Sequence, residues 1–194
     1  VITIIDGQSK GLWFDLKSQN TRLRKEPPTA IVLHHTAGEG QAPQVYRTLK
    51  NRGLGIHFVI DSDGKVTQMA DWKKVVVSHA GSINGRSIGI EIVNRGVPPA
   101  ILGHQREVYT HNFRGKNREF LKFHPAQVEA TWELLRHLNF LSQIPIVFPE
   151  GENVLDKATQ ATYNGVLGHH HLVLTKIDPS PHVWGALRAY AEQR

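Results

Sequence analysis

Ser87-Ile88-Gly89-Ile90-Glu91-Ile92-Val93 alternates in the way that a β-strand sorts side chains onto two faces. Ile88, Ile90 and Ile92 point one way, and Ser87, Gly89 and Glu91 point the other. Burying an unpaired carboxylate costs on the order of several kcal/mol. Glu91 therefore needs a partner or a cleft, and the small Ser87 and Gly89 on its face leave room for one. A structural salt bridge and a functional carboxylate both satisfy this pattern.

Upstream, Ile31-Val32-Leu33 is apolar on both alternating faces, which predicts a central strand buried on both sides. Residues 43–51 read as a short helix, with Val45, Tyr46 and Leu49 on one side and Gly53 as its stop. Residues 56–61 and 66–69 flank Ser62-Asp63-Gly64-Lys65, a hairpin signal. Downstream, Pro125 opens the strongest helix: Val128, Trp132, Leu135, Leu138 and Leu141 recur every three or four residues, and Pro145 follows its end. A last helix carries Trp184, Leu187 and Tyr190. Strands mixed with helices, with a hairpin among them, predict an α/β (α+β) domain with a mixed central sheet. No repeat or Gly/Ser linker divides the 194 residues, so a single domain over 1–194 is expected.

Composition narrows the chemistry. With no cysteine, disulfides and thiolate ligands are excluded, and any metal must be held by histidine and carboxylate. A net charge of +6 suits an anionic partner such as nucleic acid, a membrane surface or a wall polymer. No apolar run reaches the roughly 18 residues of a membrane span. Val1-Ile2-Thr3-Ile4-Ile5 lacks the basic flank and length of a secretory signal, and the chain does not begin with Met. The twelve histidines are the more informative excess.

Three polar features stand out: His34-His35 at the end of the buried strand, Glu91, and the run from Gly168-His169-His170-His171 to Lys176-Ile177-Asp178-Pro179. Alone, each has a bland reading: structural histidines, a salt bridge, a surface histidine cluster. Together, two His and one Asp match a catalytic zinc site with three protein ligands and an open position for water. Zinc lowers the pKa of such a water to about 7. Glu91 is chemically suited to accept its proton, and Lys176 to steady an oxyanion.

Four blocks in order resemble the amidase-2 family of N-acetylmuramoyl-L-alanine amidases, which includes phage endolysins, AmpD-type amidases and peptidoglycan recognition proteins. They are Ile31-Val32-Leu33-His34-His35-Thr36-Ala37; Gly55-Ile56-His57-Phe58-Val59-Ile60-Asp61 with Asp63-Gly64 and Gln68; His79-Ala80-Gly81, Asn84 and Ser87-Ile88-Gly89-Ile90-Glu91; and Gly168-His169 with Lys176, Asp178 and Pro179. The resemblance implies one Zn2+ held by His34, His169 and Asp178 in a surface groove, with Glu91 and Lys176 catalytic. His79, Asn84 and His35 are expected to bind substrate. His170 and His171 are expected outside the ligand set, supporting the ligands from behind, lining the groove or facing solvent, and His57 is expected to be a packed structural histidine. Two departures are visible: Ile56 stands where some phage members have a catalytic Tyr, and Ser78 where a Trp is often found.

The implied reaction is cleavage of the amide between N-acetylmuramic acid and L-alanine in peptidoglycan, by a lysin or wall-remodelling amidase acting as a monomer on the cell wall. The protein would be periplasmic, secreted or phage-delivered. The alternatives are a non-catalytic peptidoglycan-binding module and a zinc peptidase cutting elsewhere in the stem. A nucleic-acid-binding domain has only the charge in its favour, since no helix-turn-helix, RNP-like or zinc-finger pattern occurs. Residues 1–29 read as an N-terminal extension. Residues 94–124 read as a basic insertion beside the groove, either simply solvated or a lid or wall that meets anionic stem peptides; it holds Arg95, Arg106, Arg114, Lys116, Arg118 and Lys122.

Overall fold

The structure, a computed structural model, describes residues 2–97 and 106–193. Its strands are β1 (Ile4–Asp6), β2 (Arg22–Leu23), β3 (Ala30–His35), β4 (Phe58–Ile60), β5 (Val66–Gln68), β6 (Val75–Val76), β7 (Ser87–Ile92), β8 (Val108–Phe113), β9 (Lys116–Leu121) and β10 (Gly165–Gly168). Its α-helices are α1 (Ala42–Asn51), α2 (Pro125–Ser142), α3 (Lys157–Thr162) and α4 (Pro181–Glu192).

Six strands form the central sheet in the order β1-β5-β4-β7-β3-β10. The strands β4, β7, β3 and β10 run parallel; β5 pairs antiparallel with β4, as the hairpin signal predicts, and β1 lies parallel to β5. The sheet is thus mixed. The pairing of β3 with β7 sets His34 opposite Glu91 and Val32 opposite Gly89.

The two faces of β7 separate as the alternation requires. Ile88, Ile90 and Ile92 are fully buried with Ile31, Leu33, Phe58 and Ile60, beneath Val128, Trp132, Leu135 and Leu138 of α2 and Val183, Trp184 and Leu187 of α4. Each such side chain contributes about 2 kcal/mol by leaving water. On the other face, Val45, Tyr46 and Leu49 of α1 cover Ile56, Val59 and Phe14. The α1 helix starts where Asp61, just past β4, accepts a hydrogen bond from Ala42 N at 2.7 Å. It stops at Gly53, whose φ of 64° ends the helix as the sequence predicts. The α2 helix is tied to β7 by Gln127, whose amide donates to Val93 O at 2.8 Å.

Several elements were not legible. Within the expected extension, residues 2–29 supply β1, β2 and the buried Phe14 and Arg24, so they are built into the domain. Residues 108–121 form the β8–β9 hairpin, whose exposed Lys116, Asn117, Arg118 and Glu119 hide its strand character. The strand β10 is only four residues long, and two of them are glycines. Of the described residues in 94–124, Arg95 and Val97 line the cleft discussed next. His104 and Pro98-Pro99 lie outside the described residues.

Candidate active site

In parallel sheets, ligands gather beyond the carboxyl ends of the strands. Here His34 stands near the end of β3, Glu91 near the end of β7, and His169 directly follows β10. The chain then turns back on itself, with His170 N donating to Asp178 O at 3.0 Å, and this return brings the Asp178 side chain to the histidines.

Three donor atoms converge. His34 Nδ1 lies 3.1 Å from His169 Nδ1 and 3.2 Å from Asp178 Oδ2, and His169 Nδ1 lies 3.0 Å from Asp178 Oδ2. A tetrahedral zinc with ligand bonds of about 2.0–2.2 Å places neighbouring donors about 3.3 Å apart. The observed triangle fits a zinc ion after a small expansion, and the donor set of two imidazoles and one carboxylate suits it.

The state of His34 is set by its surroundings. Burial depresses its pKa to about 4, so it is neutral at pH 7. Its tautomer follows from a chain of bonds. The Ser87 hydroxyl donates to Ile83 O at 2.8 Å, which spends its one proton. Ser87 Oγ must then accept from His79 Nε2 at 3.2 Å, leaving His79 Nδ1 as an acceptor for His34 Nε2–H at 3.1 Å. His34 Nδ1 therefore turns a bare lone pair toward His169 and Asp178.

A cleft of about 580 Å³ opens on this triad, and Glu91, Lys176, His35 and His79 also line it. Glu91 is partly buried, and its Oε2 is buried without a hydrogen-bond partner. Burial, with a smaller push from the Asp178 charge, raises its pKa to about 8. A buried carboxylate oxygen with no partner, beside a cleft, marks a candidate for proton transfer. Lys176 is exposed, so its ammonium stays hydrated until something displaces the water.

The structure thus brings together every sequence-predicted site residue except Asn84. Asn84 turns its side-chain oxygen to the backbone N–H groups of His79 and Ala80, at 3.0 and 2.6 Å, and is not among the residues lining the cleft. It fixes the loop that presents His79. His79 itself contacts His34, a role sequence reasoning missed; the small Ser87 in the His79 chain was the available signal. The room beside Gly89 is filled by His79 and Ile56, since a Cβ there would lie 2.7 Å from His79 Nδ1 and 2.6 Å from Ile56 Cδ1.

His57, His170 and His171 serve the fold. His57 is buried, accepting from Gly89 N at 2.9 Å and donating to Val75 O at 3.0 Å. His170 and His171 are buried rather than solvent-facing: His170 Nδ1 bonds Asp178 O at 2.9 Å, and His171 packs against Trp184 with ring centroids 4.8 Å apart. His35 approaches Pro179 O at 3.4 Å and occupies the space a side chain on Gly96 would need.

Residues 24–181 match the Amidase_2 family model, N-acetylmuramoyl-L-alanine amidase. The chain belongs to this family. Among solved structures it resembles the N-acetylmuramoyl-L-alanine amidase LysC from Clostridium intestinale URNW, with a TM-score of 0.63 and 19% identity over 99% of each chain. It also resembles the Ph2119 endolysin from Thermus scotoductus MAT2119 bacteriophage Ph2119, with a TM-score of 0.59 and 20% identity over 96% of this chain and 97% of that one. The amidase AmiD from E. coli was solved with the substrate anhydro-N-acetylmuramic acid-L-Ala-D-gamma-Glu-L-Lys. It matches with a TM-score of 0.58 and 21% identity over 88% of this chain and 60% of that one. At these identities the likeness is one of fold. A comparison with curated protein sequences finds no match. Within this Amidase_2 domain, Ile56 is fully buried beside Gly89, so no tyrosine-like group reaches the cleft from that position. No helix among the described residues is long and apolar enough to cross a membrane.

Proposed function

We propose that this protein is a zinc-dependent peptidoglycan amidase that hydrolyses the bond between N-acetylmuramic acid and the L-alanine of the stem peptide. The observation that carries the reading is the triangle of His34 Nδ1, His169 Nδ1 and Asp178 Oδ2, opening onto a cleft shared with Glu91 and Lys176. Family membership selects the bond, because the donor set alone serves hydrolysis of many amides.

His34, His169 and Asp178 would hold the metal. When bound, zinc supplies Lewis acidity, polarising a carbonyl and lowering the pKa of adjacent water. Without metal, Glu91 keeps its proton at neutral pH. The charge of a bound zinc would favour the carboxylate, and Glu91 then accepts a proton from the attacking water as the water oxygen bonds to the lactyl carbonyl carbon. Lys176 stabilises the oxyanion that develops on the carbonyl oxygen. Glu91 then returns the proton to the L-alanine nitrogen as the C–N bond breaks. The products are a lactyl carboxylate on the sugar and a stem peptide with a free amino terminus. The net charge of +6 favours approach to anionic wall polymers, which suits a lysin or a wall-remodelling enzyme.

The test is product analysis on purified sacculi with zinc, with chelator, and with chelator followed by zinc. Stem peptides carrying an N-terminal L-alanine, released only with zinc and from intact glycan, are expected. Binding to sacculi without release would favour a non-catalytic module, and a new amino terminus at another residue would favour a peptidase.

A further inference from the structure

The β8–β9 hairpin turns through Arg114 and Gly115, with φ of 52° and 78°. Positive φ at both central residues defines the tight hairpin turn that favours Asn-Gly or Gly-Gly. Arginine in the left-handed region costs about 1 kcal/mol, so its side chain must compensate for the backbone.

The Arg114 guanidinium reaches three carbonyls at once. Nε donates to Glu152 O at 2.7 Å, Nη1 donates to Leu174 O at 2.7 Å, and Nη2 donates to His170 O. His170 and Leu174 belong to the loop that carries His169, Lys176 and Asp178. The neighbouring Phe113 ring meets the His170 ring edge-on, 5.7 Å between centroids. Residues 173–176 of that loop are exposed and bury little of their own, so fixing them falls to bonds from outside. The planar fork of arginine suits such a multi-point hold, whereas lysine offers one charged point.

We infer that the β8–β9 hairpin is a clasp on the ligand-bearing loop and that Arg114 is a positioning residue for His169, Asp178 and Lys176. The inference rests on reading His34, His169 and Asp178 as a metal site. It gives residues 108–121 of the basic stretch a task at this loop, since none of them lines the cleft.

The test compares Arg114→Asn and Arg114→Lys with the parent protein, measuring cobalt and zinc affinity by chelator competition, the visible spectrum of the cobalt form, and the melting temperature of the chelated protein. Asparagine tolerates the left-handed turn, so Arg114→Asn should melt no lower than the parent when metal-free. Its metal Kd should nevertheless rise about tenfold, the scale on which supporting contacts act, with altered cobalt bands. Arg114→Lys should fall between the two. A Kd within twofold of the parent would overturn the inference, as would a weakening accompanied by a matching loss of metal-free stability, which marks a merely structural contact. Failure of the parent itself to bind cobalt or zinc would overturn the metal reading, and this clasp with it.

Discussion

The two faces of β7 carry opposite solutions to burial. On one, Ile88, Ile90 and Ile92 meet only hydrocarbon from α2 and α4 and contribute by leaving water. On the other, Ser87, Gly89 and Glu91 meet His79, His57 and the cleft. Polar groups there are tolerated where each proton has an acceptor: His57 uses both ring nitrogens, and Ser87 takes part in a chain ending on Ile83 O. Glu91 Oε2 breaks that rule. The difference separates the polar groups of this face that hold the fold from a carboxyl whose ionisation the fold opposes. A satisfied network stabilises a geometry, while ionising a buried carboxyl that has no partner carries a cost, which protonation relieves.

Removing a triad donor breaks the comparison most severely. Asp178→Ala should lower amidase turnover at least about a thousandfold and abolish tight zinc binding, measured by metal content after dialysis.

Glu91→Gln should lower turnover by roughly 10²–10⁴-fold while zinc remains bound. It should also stabilise the chelated protein at alkaline pH. The Glu91 pKa is raised from 4.5 to about 8 in the fold. Between these values the unfolded chain has released its proton and the folded chain has not, so stability falls as pH rises through this window. Glutamine removes that loss, and melting curves at pH 8.5 should show a gain on the order of 2 kcal/mol that vanishes near pH 4. Equal melting temperatures of parent and variant at pH 8.5 would show that Glu91 is not stored in an unfavourable state.

On the apolar face, Ile90→Ala should cost about 3 kcal/mol in denaturant unfolding through the cavity it leaves, with turnover per folded molecule unchanged. A large loss of turnover would mean that the two faces are coupled. The finest test is Ser87→Ala, which leaves His79 without its acceptor and frees the His34 tautomer. Zinc affinity should weaken about tenfold, and metal-free stability should fall by about 1–3 kcal/mol because a buried N–H loses its acceptor.

Much of this was legible in the chain because the relevant signals are local. Alternation at Ser87–Val93 assigned the faces of β7, Gly53 and Pro125 marked helix ends, and the order of His34, Glu91, His169, Lys176 and Asp178 matched a family pattern. The β8–β9 hairpin escaped because solvent covers its polar side chains and leaves only Phe113, Phe120 and Leu121 as deeply buried apolar anchors within its strands. The edge strand β1 escaped because three residues carry too little alternation to read.

The sequence by itself determined the sheet's central strands, the amphipathic faces and the set of residues able to ligate a metal, since these depend on backbone period and side-chain chemistry. Tertiary structure decided what each histidine does. An imidazole looks the same in sequence whether its lone pair accepts from Gly89 N–H, as in His57, its N–H donates to a buried carbonyl, as in His170, or its lone pair faces two other metal-ligating atoms, as in His34. The partners of His34 lie 135 and 144 residues away, so only the register of β3, β7 and β10 and the return of the loop after β10 could bring three lone pairs to one point.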